Sequence, residues 1–183
     1  MFLEMKILLH VCCGPCLIYP LKRLNDQGFK VKGFYYNPNI YPIDEYNRRK
    51  VAVIDLSKGL QFEVTCPDYL PSEFSQAIDT NVHAPGRCVS CWKLRLQKTA
   101  LHAKENGFDA FSSTLLVSPY QNQELLKQLG NQVAKEAGID FYYEDFRVGF
   151  RQAHEEARSK GVYCQKYCGC SYSELERHIK IKK

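Results

Sequence analysis

Apolar residues along the chain form short runs that alternate with stripes at helical spacing. Residues 6–12 make a nearly continuous apolar run, which is typical of a strand buried on both faces of a parallel sheet. Leu17, Leu21 and Leu24 then recur at helical spacing, and Gly28 stands where a left-handed C-cap would end a helix. The pattern therefore predicts a first strand that leads directly into a first helix.

The same alternation continues along the chain. Further strands are predicted over 29–36, 61–66, 109–116 and 139–146. Further helices are predicted over 44–58, 72–80, 85–107 and 121–138. Cys91 is expected in the first turn of the 85–107 helix. Residues from Gln152 onward should add a short helix, a cysteine turn and a terminal helix. This order favours an α/β fold, Rossmann-like and doubly wound, with a mostly parallel sheet and a helical, cysteine-containing C-terminal extension. We expect residues 1–183 to form a single domain.

The composition limits the class of protein. A hydrophobic share of 45% with 25% charged residues is ordinary for a folded protein, and no stretch approaches the roughly 18 apolar residues of a membrane span. The apolar start has neither a basic leader nor a cleavage site, so we interpret it as a strand and expect a cytoplasmic protein. Nine cysteines in a cytoplasmic protein favour metal binding or catalysis over disulfides.

Seven of the nine cysteines fall in three groups, at turns that follow predicted strands or flank helices. The groups are CCGPC, CVSC and CGC, which contain Cys12, Cys13, Cys16, Cys88, Cys91, Cys168 and Cys170. In open α/β sheets, ligands bind beyond the carboxyl ends of the strands, where CCGPC is expected. Zinc needs four thiolates, so seven suggest an iron-sulfur cluster together with a second metal or reactive thiols. A structural zinc site and inert buried thiols remain the alternatives, and burial is the preferred interpretation of Cys66 and Cys164.

The adjacent pair Cys12 and Cys13 sharpens this prediction. Neighbouring side chains on an extended backbone point in opposite directions. We therefore expect one thiol to bind the cluster and the other to bind an adjacent metal.

Six motifs follow one another along the chain: HVCCGPC, YNPNIYPIDEYNRR, RCVSCWKLRL, FSSTLLVSPYQN, EDFR and QKYCGCSYS. With these motifs in this order, the chain resembles the iron-sulfur epoxyqueuosine reductases of the QueH type over nearly its whole length. Members of that family more often have alanine at the position of Gly14 and arginine at that of Cys164. The resemblance implies a body related to the adenine-nucleotide-hydrolase-like α/β folds. It also implies reduction of epoxyqueuosine, at the wobble position of tRNA, to queuosine without cobalamin.

The cofactors implied by the resemblance are a [4Fe-4S] cluster and an additional mononuclear iron bound by thiolate and carboxylate, with electrons from an unidentified donor. An iron with an open position can polarise the epoxide oxygen while the cluster supplies electrons. Cys13 and Asp145 are the candidate catalytic ligands, and Asp44, Glu45 and Asp68 are alternative carboxylates. A surface or helix-capping role is equally open for Asp145.

Aromatic and basic residues near the predicted carboxyl ends of strands are candidates for binding the anticodon loop. The candidate substrate-binding residues are Tyr35, Tyr36, Tyr46, Arg48, Ser118, Tyr120 and Gln121. Any one of the tyrosines is more often half-buried core, but as a group beside basic residues they form a candidate surface for the anticodon loop. The basic C-terminal residues Lys182 and Lys183 could contact phosphates or remain solvated.

Two other classes of protein stay open. The fold is shared with ATP-dependent tRNA-modifying enzymes, although Pro15 lacks the amide proton that a phosphate-binding loop at CCGPC would use. A zinc-stabilised RNA-binding module or an electron carrier is the other alternative.

Overall fold

A computed structural model describes residues 4–181, which contain five parallel strands in one sheet. The strands are β1 (Lys6–His10), β2 (Lys30–Phe34), β3 (Val64–Thr65), β4 (Ala110–Ser113) and β5 (Asp140–Phe141), in the order β3-β2-β1-β4-β5. This order confirms the predicted doubly wound parallel α/β fold. Lys182 and Lys183 lie outside the described residues.

Helices follow each strand. They are α1 (Gly14–Asp26), α2 (Ile43–Gly59), α3 (Pro71–Ile78), α4 (Gly86–Glu105), α5 (Gln123–Ala137), α6 (Phe150–Ser159) and α7 (Ser171–Ile181), with 3-10 helices at Thr114–Val117 and Phe146–Gly149. The predicted C-terminal extension is confirmed, because α6 and α7 flank the turn that carries Cys168 and Cys170. None of the helices in the described part of the chain combines the length and the apolar character that crossing a membrane requires.

The central strand follows from its sequence. Ile7, Leu8 and Leu9 are almost completely inaccessible to solvent, because β1 pairs with β2 on one side and β4 on the other and is covered on both faces. Gly28 and Gly138 both have positive φ angles, of 84° and 66°, as the predicted helix ends require.

The edge strands are shorter than predicted. The 61–66 and 139–146 segments supply only two sheet residues each, because each pairs on one side only and over two positions of its neighbour. The predicted bounds of α4, 85–107, agree with Gly86–Glu105 to within two residues, but Cys91 lies one turn later than predicted. The helix begins at Gly86, so Cys88 lies in the first turn and Cys91 in the second.

Candidate metal centre and adjacent cleft

The first cysteine motif brings three sulfur atoms together where β1 leads into α1. The Sγ atoms of Cys12, Cys13 and Cys16, which we call the three-thiol group, all lie within 4.8 Å of one another. A tetrahedral ion with metal–sulfur bonds of about 2.3 Å holds its sulfurs about 3.8 Å apart. The three-thiol group is therefore compact enough to bind one metal ion after small side-chain adjustments.

The expectation that the side chains of Cys12 and Cys13 point in opposite directions is wrong. Their Sγ atoms are 3.7 Å apart. Strand alternation does not apply to them, because β1 ends at His10 and the backbone turns at Cys13, the N-cap of α1. Both thiols consequently face the same space at the start of α1.

Two polar side chains hold the three-thiol group. The Oγ1 atom of Thr114 accepts a hydrogen bond of 3.0 Å from the backbone N–H of Cys12 and donates one of 3.2 Å to its Sγ. Gln165 donates from Nε2 to the Sγ of Cys13 at 2.9 Å. Hydrogen bonds from Cys13, Cys16 and Thr114 hold the pKa of Cys12 well below its usual range, whereas burial raises the pKa of Cys13. Cys12 is thus the member of the group that is most readily a thiolate.

The other two motifs converge on a second set of thiols, which we call the four-thiol group. It consists of Cys88 and Cys91 on α4 and of Cys168 and Cys170 in the turn before α7. Cys91 and Cys170 are buried in one apolar cluster with Phe74 and Ile78 of α3. Burial raises the pKa of Cys88 and Cys91, and the neighbouring Cys170 thiol raises both further.

The four-thiol group has a different spacing from the first. Within residues 4–181, only the three-thiol group has three metal-binding atoms inside 4.8 Å of one another. The sulfurs of the four-thiol group are therefore spaced more widely than a single tetrahedral ion requires. Four thiolates at wider spacing suit a polynuclear cluster.

Buried arginines fix the turn of the four-thiol group. Arg49 donates from Nη1 to the carbonyl of Cys168 at 2.9 Å and from Nη2 to that of Tyr167 at 3.1 Å. Its Nε donates to Glu45 at 2.7 Å, and both side chains are only 2% exposed. Arg87, which precedes Cys88, pairs with Glu176 of α7 at 2.9 Å. The turn is thus tied to α2, and α7 is tied to α4.

A cleft of about 270 Å³ opens between the two groups of thiols. Its lining includes Cys12 and Cys16 of the first group, Cys168 of the second, and Arg95, Thr114, Ser118, Tyr120, Gln121, Phe150, His154, Gln165 and Lys166. Three of the predicted substrate-binding residues, Ser118, Tyr120 and Gln121, are therefore at the same cleft as the thiols. Larger cavities lie elsewhere on the described residues, but no thiol lines them.

The predicted carboxylate ligand has another partner. Asp145 accepts a hydrogen bond from the backbone N–H of Arg147 at 3.1 Å and binds the Arg147 guanidinium at 2.8 Å. No carboxylate of the described residues joins the three-thiol group at ligand distance. Asp145 is the N-cap of a 3-10 helix, and its role as a metal ligand stays a prediction. Of the alternatives, Glu45 is bound by Arg49, and Asp44 and Asp68 are exposed.

The predicted tyrosine platform is not formed. Tyr35, Tyr36 and Tyr46 are buried, and the hydroxyls of the first two donate to the carbonyl of Tyr46 and to Glu73. A buried ring offers no face on which a base could stack, so their burial argues against the predicted role. Arg48 is exposed, pairs with Glu45 at 3.2 Å and does not line the cleft.

The remaining cysteines are separate from both groups. Cys66 and Cys164 are partly buried, and the Sγ of Cys164 lies 3.4 Å from the carbonyl of Val162. Sequence reasoning assigned no role to Arg95, Thr114, His154 and Gln165 at the cleft, because residue type and spacing do not show which tertiary neighbours a side chain contacts.

The fold and the family follow from comparison with known proteins. A predicted subunit of a tRNA methyltransferase from Methanocaldococcus jannaschii has a similar structure, with a TM-score of 0.58 over 84% of this chain and 76% of that one, at 11% identity. That likeness concerns the fold alone. A family model described as "Epoxyqueuosine reductase QueH" matches residues 7–176. The chain belongs to the QueH family.

Relatives in the QueH family confirm the resemblance expected from the motifs. A protein of Dehalococcoides mccartyi named "Epoxyqueuosine reductase QueH" is 39% identical over 94% of both chains. One of the same name from Thermotoga maritima is 33% identical over 95% of this chain and 93% of its own. The QueH match spans all seven cysteines of the two groups.

Proposed function

We propose that this protein is an epoxyqueuosine reductase that acts on tRNA. The reaction removes the epoxide oxygen as water and leaves an alkene, so it consumes two electrons and two protons. The observation that carries the proposal is the convergence of two thiol groups on one cleft, in a chain of the QueH family. The electrons come from an external donor, and no cobalamin is required.

The two groups have different tasks in this proposal. The four-thiol group would hold the [4Fe-4S] cluster, because it supplies a full set of four thiolates at wide spacing. The three-thiol group would hold the mononuclear iron, because its compact sulfurs leave a position for an oxygen ligand. A cluster and an iron held by these residues would supply electrons and a Lewis acid for the epoxide oxygen. Cys13 keeps its predicted catalytic place as one of the iron ligands.

The side chains of the cleft would position the substrate. Ser118 and Gln121 offer hydrogen-bonding groups to the modified base, and Lys166 is an exposed cation suited to a phosphate. Tyr120 is 85% exposed, with its ring edge-on to Phe150 at 5.9 Å. Its free face is suited to stacking on a base of an anticodon loop.

Metal analysis of matched cysteine variants tests the proposal. The wild type, reconstituted without oxygen, should contain sulfide and more iron than one cluster accounts for, and should convert epoxyqueuosine in tRNA without added cobalamin. Cys88→Ser should lose the sulfide and most of the iron. Cys13→Ser should keep the sulfide, lose iron and lose turnover, whereas Cys66→Ser should match the wild type. Uptake of one zinc without sulfide, or no turnover by the fully loaded wild type, would contradict the proposal.

A further inference from the structure

Three arginines are almost completely buried beside the thiols, and one of them lacks a carboxylate partner. Arg49 pairs with Glu45 and Arg87 with Glu176. Arg95 is 2% exposed and forms no ion pair with any described residue. Its Nε donates to the backbone carbonyl of Cys91 at a long 3.3 Å, and its Nη2 is buried without a hydrogen-bond partner. An arginine does not lose its proton in a protein, so Arg95 is a buried and uncompensated cation.

The groups around Arg95 identify what could compensate it. Arg95 lies one helical turn after Cys91 on α4 and lines the cleft together with Cys12 and Cys168. Burial opposes the charge of Arg95, but the neighbouring Cys91, Cys168 and Cys12 outweigh that effect and raise its pKa. The anions available to this guanidinium are therefore thiolates, and they come from both groups.

Histidine offers no alternative counter-charge. His10 is fully buried near Arg95, with one ring nitrogen 3.0 Å from the Ser113 hydroxyl and the other 3.0 Å from the carbonyl of Tyr36. An imidazole is either neutral or positively charged, so His10 supplies no negative charge to balance Arg95.

We propose that Arg95 is a shared counter-charge that links the two thiol groups, stabilising their metal-bound thiolates and raising the reduction potential of the cluster. This inference rests on the proposed function. A fixed cation favours the reduced form, because that form carries one more negative charge. The same cation disfavours the metal-free protein, in which most of the thiols are protonated. Arg95 thus acts through the metals as a positioning residue and need not contact the substrate.

Two opposite effects of Arg95→Met test the inference. Removing the uncompensated cation should raise the melting temperature of the metal-free protein. In the loaded protein, the same change should shift the midpoint potential of the cluster to a more negative value and speed the loss of iron to a chelator. Arg95→Lys, which keeps the charge, should restore much of the potential. Arg23→Met, at an exposed arginine of α1, is the control and should change neither the potential nor the iron loss.

The outcomes separate this inference from the proposed function. If Arg95→Met has the same midpoint potential and iron loss as the wild type, Arg95 is not the counter-charge, although the reductase proposal stands. If neither Arg95→Met nor Arg95→Lys loads iron while both fold without metal, the positive charge is not the essential property and the inference fails. A failure of Arg95→Met to load that Arg95→Lys rescues supports it. If the wild type itself holds no iron or sulfide, the reductase proposal fails first.

Discussion

The buried pair of Glu45 and Arg49 offers the sharpest test of how the cysteine turn is held. Glu45→Gln leaves the Arg49 guanidinium buried without a negative partner while nearly preserving the shape of the side chain. Breaking a buried pair by removing one charge typically costs 3–5 kcal/mol, and the amide oxygen can still accept from Arg49, so we expect about 3 kcal/mol. For a chain of this size, 1 kcal/mol shifts the melting temperature by about 2–4 °C. The predicted fall is therefore about 6–12 °C.

Calorimetry of the reduced, metal-free protein measures this fall. The matched control is Glu63→Gln, because Glu63 pairs with Lys32 at the surface, where an ion pair is worth at most about 1 kcal/mol. If the two variants have the same melting temperature, the buried pair does not stabilise the fold as reasoned here.

Three further predictions concern pH, packing and substrate binding. Burial lowers the pKa of His10 from 6.5 to about 4, so the unfolded state binds a proton at His10 before the folded state does as the pH falls. Between pH 6.5 and 4, the free energy of unfolding of the metal-free wild type, measured in urea, should therefore fall by about 3 kcal/mol more than that of His10→Gln. Gly130→Ala would place its Cβ 2.1 Å from the ring of Phe141 and should lower the unfolding free energy by about 1–3 kcal/mol, whereas Gly59→Ala meets nothing within 4 Å and should raise it by up to about 1 kcal/mol. Tyr120→Ala should weaken tRNA binding about 5- to 150-fold in a filter assay at fixed salt without changing the melting temperature.

Each of these predictions has an outcome that contradicts it. Equal pH dependence of wild type and His10→Gln would mean that His10 does not titrate differently on unfolding. A Gly130→Ala protein as stable as Gly59→Ala would mean that Phe141 moves away freely. Unchanged tRNA binding by Tyr120→Ala, with Leu101→Ala as the control at another exposed apolar residue, would remove Tyr120 from the substrate surface.

Local patterns predicted the elements of the sheet better than they predicted the site. The apolar run of β1 and the glycines after α1 and α5 are signals that reside in a few adjacent residues, and the structure confirms them. The edge strands were predicted too long, because the extent of pairing depends on a neighbouring strand and not on the segment itself.

The organisation of the thiols depended on contacts that no short segment contains. Spacing indicated that the seven cysteines share a function, but not that they divide into three and four. The tyrosines were misplaced because a strand end that faces the core and one that faces a cleft have the same composition. The sequence analysis assigned Arg95 no role, and only its burial at the junction of α4 with the cleft distinguishes it.

The two halves of the four-thiol group are separated by about eighty residues of sequence, from Cys88 and Cys91 to Cys168 and Cys170. During translation, the ribosome therefore releases the three-thiol group and half of the four-thiol group long before the turn that completes the set. A cluster delivered to the nascent chain before residues 168–170 emerge would find only two of its four sulfurs in place. If the four-thiol group holds the proposed cluster, that site is complete only after residues 168–170 have been synthesised and their turn has docked beside α4.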